Sequence, residues 1–164
     1  MKLVLCFVLI ISLCGCAVNT TPTECVADEY IVDNAPSYFI TADYPAEAVL
    51  TASCQDGCCA VFTHPDYEIT QEIFEAENLS DALLRLTGRK SDELTVIRVA
   101  STPREEYRFR WIAAGENGTQ AFSAKLLYDG EYCYSIIAHC PIDKLMQYES
   151  VFSDLFACTT LEAV

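Results

Sequence analysis

Apolar and polar positions along this chain change period twice, and the changes divide it into elements. Ser37 to Asp43 and Ala48 to Ser53 are short runs of aromatic, β-branched and small residues that read as strands, with Tyr44-Pro45 between them. Asp56-Gly57 predicts a two-residue hairpin turn, after which Cys58 to Thr63 returns as a third strand. Tyr67 to Phe74 extends the sheet beyond a break at His64-Pro65. The period then lengthens. Leu79, Ala82, Leu83 and Leu86 share one helical face, Asn78 with Asp81 supplies a start, and Gly88 a stop. From Leu94 to Ala100 the pattern is strand-like again. Tyr107, Phe109 and Trp111 then alternate with Glu106, Arg108 and Arg110, the mark of a half-buried strand. Turns at 115–118 and at Asp129-Gly130 predict strands from Thr119 to Tyr128 and from Glu131 to His139, and Cys140-Pro141 breaks the last of them. Leu145, Tyr148, Val151, Phe152, Leu155 and Phe156 line a closing helix. Hairpins imply antiparallel pairing, so the expected fold class is α+β, a central antiparallel sheet covered by two main helices, in one domain over residues 31–164.

The residues before that domain follow other rules. Lys2 precedes an apolar run from Leu3 to Leu13 interrupted only by Ser12. The run is short of the ~20 residues a membrane span needs and fits the apolar part of a secretory signal over residues 1–15. Leu13-Cys14-Gly15-Cys16 resembles the lipobox of bacterial lipoproteins, in which a small residue precedes an obligatory cysteine and an aliphatic residue stands three positions before it. Cys14 departs from the usual small residue at the middle position. The resemblance implies cleavage before Cys16, a thioether from its thiol to diacylglycerol, and a chain held on the extracytoplasmic face of the cell membrane. Two acyl chains anchor durably where one holds marginally. An ordinary secreted chain with a coincidental cysteine is the competing account. Residues 16–30, polar and without periodicity, read as a flexible tether.

Charge and cysteine content narrow the partners. Against 24 acidic residues stand 10 basic ones, a formal net charge of −14. Nucleic acid and bare anionic lipid both select for Lys and Arg and are poor partners for such a chain. Ten cysteines is a high count. Cys6 and Cys14 leave with the signal and Cys16 takes the lipid, so Cys25, Cys54, Cys58, Cys59, Cys133, Cys140 and Cys158 remain, an odd set in a compartment that permits disulfides. Across the Asp56-Gly57 turn Cys54 faces Cys59, and the two are expected to form a disulfide, with Cys58 turned to the other face. Cys58 is a second-tier thiol together with Cys25, Cys133, Cys140 and Cys158, and the pairing of these last four stays open.

Catalytic motifs are missing from the sequence: it holds no Gly-x-Ser-x-Gly, no phosphate-cradling glycine loop and no His-Glu-x-x-His. Cys54, Cys58, Cys59 and His64 match no zinc spacing, so neither a metal nor another cofactor is expected. Arg108, Arg110 and Lys125 fall on one face of two neighbouring strands and form a candidate anion patch; cross-strand pairing with nearby Glu or Asp is the alternative. Ser37-Tyr38-Phe39-Ile40 followed by Tyr44-Pro45, the meander from Arg108 to His139, and the final helix ending in Leu155-Phe156-Ala157 together resemble the PsbP/Mog1-like group of domains. That resemblance implies a non-enzymatic domain that binds or helps assemble a protein or envelope partner. Two other accounts stay open: a thiol/disulfide enzyme built on Cys54 to Cys59, and a structural envelope lipoprotein with no specific ligand.

Overall fold

The computed structural model describes residues 35–101, 104–115 and 118–164, so the expected signal and tether, with Cys16 and Cys25, lie outside the described residues. In chain order the elements are β1 (Tyr38–Thr41), β2 (Val49–Ser53), β3 (Cys59–His64), β4 (Tyr67–Glu75), α1 (Leu79–Thr87), β5 (Val96–Ala100), β6 (Glu105–Gly115), β7 (Gly118–Tyr128), β8 (Tyr132–Pro141), α2 (Leu145–Cys158) and β9 (Thr160–Ala163). Seven strands form one antiparallel sheet in the order β2-β3-β4-β8-β7-β6-β5. After β4 the chain passes through α1 to the far edge and meanders back from β5, so that β8 docks on β4 with Glu68 opposite His139 and Glu75 opposite Tyr132. β1 and β9 make a separate two-stranded ladder, with Tyr38 opposite Ala163.

Strand alternation separates the core into two clusters. Tyr132, Tyr134, Ile136, Ala138 and Cys140 of β8 pack with Ile69 and Ile73 of β4 and with Phe152, Leu155 and Phe156 of α2. Cys133 of the same strand packs instead with Phe109 and Trp111 of β6 and with Ala82 and Leu83 of α1. Successive side chains of a strand point to opposite faces, so α2 and α1 close opposite faces of the sheet.

Local chemistry sets the ends of α1 as the sequence suggests. The Asn78 side-chain oxygen accepts the Asp81 N–H at 3.1 Å, and Gly88, left-handed at φ 68°, donates its N–H to the Leu84 carbonyl at 2.8 Å. Two expected boundaries move. β8 runs two residues past His139 and ends at Pro141, which pairs with Gln120, since a proline is tolerated at a strand's end, where no ladder donor is missed. Residues 160–163, left unassigned by the sequence pattern, form β9 because β1 supplies them with a partner.

Replacing Phe152, 2% exposed beneath α2, by Ala should cost about 3–5 kcal/mol, read as a lower urea midpoint. The buried tyrosines give the fold a pH signature. Burial pushes the hydroxyls of Tyr44 and Tyr132 up from 10.0 to about 12, with Glu75 adding to the effect at Tyr132, and burial beside Asp129 raises that of Tyr134 as well. Above pH 10 the unfolded chain releases these protons while the folded chain keeps them, so stability should fall as pH rises from 10 towards 12. Urea midpoints across that range check it.

Candidate functional site

The three cations expected to share a face do so, and their charges are directed inward. Lys125 is 5% exposed. Its ammonium donates to the carbonyls of Phe156 at 3.0 Å and Thr159 at 2.8 Å and lies 3.3 Å from Glu106 Oε2. These contacts use all three of its donors. Arg108 donates through Nε to Glu106 at 3.0 Å and through a terminal nitrogen to the Phe156 carbonyl at 3.1 Å, and its guanidinium sits 5.3 Å from the centre of the Phe156 ring. Arg110 pairs with Glu149 of α2 at 2.8 Å, where both side chains are exposed. Lys125 and Arg108 thus satisfy carbonyls at the C-terminal end of α2, which carry partial negative charge and lack helical partners. Burial lowers the Lys125 pKa against the pull of Glu106, so this residue opposes in sign the alkaline effect of the tyrosines.

Beside these contacts lies a cleft of about 500 Å³ between α2 and the β5–β6 edge of the sheet, lined by Thr95, Ile97, Phe109, Arg110, Phe152 and Phe156 with Arg108, Ser123, Ala124 and Ser153. α2 packs mainly on β7 and β8, and the cleft opens between it and β5. Ile97, which points to the face that α2 covers elsewhere, is left 61% exposed. Lys125 is no general base for Ser123, its neighbour two positions along β7, because its protons are committed to α2 and Glu106.

The cysteines divide by depth. Cys54 and Cys59 form a disulfide with Cα atoms 5.3 Å apart. The pairing is as expected but the turn differs. The Gly57 N–H reaches the Cys54 carbonyl at 3.2 Å and the Cys54 N–H reaches the Cys59 carbonyl at 3.0 Å. Residues 55–58 therefore form a longer loop with Gly57 left-handed at φ 74°, and the cysteines sit at a hydrogen-bonded pair, whose wider spacing suits a disulfide. Cys58 is free, and burial together with Asp56 raises its pKa. Cys133, pushed up by burial to about 12, and Cys140, also raised, are buried in opposite clusters. Cys158 is exposed at the end of α2. Nucleophilic thiols need the reverse shift.

Both histidines border one recess with Asp66 and Glu68, between the β3–β4 turn and the ends of β7 and β8, but His64 packs on Tyr67 and Tyr148 and His139 on Phe122. His64 Nδ1 accepts the Asp66 N–H at 3.1 Å. His139 lies 3.2 Å from Glu68 and stacks on Phe122 with ring centres 4.8 Å apart. It points away from buried Cys140, so those neighbours form no dyad. Among the described residues no group of three or more His, Cys, Asp and Glu side chains is arranged to hold a metal ion, and no helix is long and apolar enough to cross a membrane.

No family model and no curated protein matches the chain. Solved structures do. LpqN, involved in cell envelope biogenesis of Mycobacterium tuberculosis, superposes with a TM-score of 0.54 at 12% identity, over 78% of this chain and 86% of its own. Cyanobacterial PsbP (CyanoP) from Synechocystis gives a TM-score of 0.54 at 11% identity, over 79% of this chain and 95% of its own. The domain has the PsbP-like fold. At such identities the likeness concerns the arrangement of the backbone, and it agrees with the resemblance carried by the strand–meander–helix pattern.

Removing the buried ammonium tests its structural role. Lys125→Met should destabilise the domain by about 3 kcal/mol, because the Thr159 carbonyl loses its donor and Glu106 keeps only Arg108. Urea unfolding at neutral pH measures it.

Proposed function

We propose that this chain is an extracytoplasmic lipoprotein, anchored to the cell membrane through lipid on Cys16, whose PsbP-like domain acts as a non-catalytic binding or assembly module of the envelope. The observation that carries the binding role is the open cleft under α2, walled by apolar side chains and holding no activated nucleophile. The lipobox resemblance supports the anchor. The fold shared with LpqN, itself involved in envelope biogenesis, is compatible with a protein or envelope partner. A net charge of −14 speaks against nucleic acid. The thiol/disulfide alternative draws on Cys58 beside the Cys54–Cys59 bridge, but a thiol held protonated by burial and Asp56 is a weak attacking group.

Growth with a palmitate analogue tests the anchor. The chain should carry the label and sediment with membranes, and Cys16→Ser should lose the label and shift to the soluble fraction. An unlabelled wild-type chain overturns the anchor. Purification from solubilised membranes should recover an envelope component in stoichiometric amount. Recovery of none favours a structural envelope lipoprotein without a specific ligand.

A further inference from the structure

We infer that the cleft between α2 and β5 is a binding site for an amphipathic monoanion, an apolar chain bearing one carboxylate. The inference rests on the reading of the domain as a binding module and adds the class of ligand.

Four features of the cleft agree on this chemistry. Its walls are apolar where Ile97, Phe152 and Phe156 meet. Two arginines, Arg108 and Arg110, line it and no carboxylate does, in a chain with 24 acidic residues against 10 basic ones. Charge and apolar surface are thus placed together in the one way that suits an anion with a hydrophobic body. Third, Ser123 also lines the cleft and offers it a hydroxyl. Finally, the volume of about 500 Å³ falls within the usual range of small-ligand clefts, about 300–1,000 Å³.

The two arginines differ in their freedom. Arg108 is tied to Glu106 and to the Phe156 carbonyl and holds its place. Among the described residues Arg110 pairs with Glu149 alone, in an ion pair 60% and 43% exposed on its two sides. Exposed pairs of this kind exchange readily, so Arg110 can release Glu149 and turn onto a carboxylate in the cleft, while the apolar chain lies along Ile97 and Phe152. Ser123, opposite Arg110 across the β6–β7 ladder, supplies a second donor. Binding is non-covalent and needs no co-reactant.

Calorimetric titration of dodecanoate, below its micelle concentration, into the chain from residue 16 onward with Cys16→Ser tests the site without competition from detergent or attached lipid. One saturable site is expected. Dodecanol, with the same chain and no charge, should bind at least tenfold more weakly. Arg110→Gln should weaken dodecanoate about tenfold, the scale of a lost charge-assisted hydrogen bond, and Ile97→Asp at the mouth should weaken it further. Both positions are exposed, so the variants should keep the circular dichroism and urea midpoint of the parent. Absence of saturable dodecanoate binding, equal binding of dodecanol, or affinity unchanged in both variants overturns the inference. Labelling at Cys16 and partner recovery are read separately, so failure here leaves the anchored binding module standing.

Discussion

Lys125 places a full positive charge at the middle of the sheet, and the position of α2 follows from how that charge is satisfied. Taking an ammonium out of water costs several kcal/mol unless every proton finds an acceptor. Here the acceptors are Glu106 and the two carbonyls at the end of α2, held within 3.3 Å. Arg108 reaches the same helix end and shares Glu106, so one carboxylate balances two cations beneath the helix. The last turn of α2 is held over β6 and β7, the apolar side chains of Phe152 and Leu155 pack with those of β4 and β8, and the cleft lies between the helix and β5. The cleft is the part of the sheet face that this arrangement leaves uncovered.

Much of the fold was legible in the order of apolar positions. The alternation around Tyr107, Phe109 and Trp111 marked β6, and the spacing of Leu79, Ala82, Leu83 and Leu86 with Asn78 and Gly88 marked α1 and its ends. What escaped depends on partners distant in the chain. Residues 160–163 have no alternation of their own and become a strand because β1 lies beside them. The insertion of β8 between β4 and β7 follows from where α1 delivers the chain, which local pattern does not encode.

The candidate site was half visible. The shared face of Arg108, Arg110 and Lys125 could be read from strand period, but the depth of each could not. Period says which way a side chain points and nothing about what lies above it. With α2 in place, Lys125 and Arg108 become helix-end contacts, and Arg110 alone keeps an exchangeable partner. Ser123 gave no signal at all, being one small residue in an apolar strand. Cys54 and Cys59 were legible as a pair because two short strands joined by a glycine-bearing turn bring them level, even though the turn proved longer than two residues.

β1 and β9 are each other's sheet partner, and the Val164 N–H reaches the Ser37 carbonyl at 3.1 Å. The domain's first and last strands therefore meet, and the described fold is topologically close to a ring. A ring has no privileged starting point. A short linker from Val164 to Ser37 would close it, and a new opening could be cut at an exposed loop such as residues 55–58, giving the same sheet with its ends beside the Cys54–Cys59 bridge. The position of the chain ends is thus separable from the face that carries the cleft.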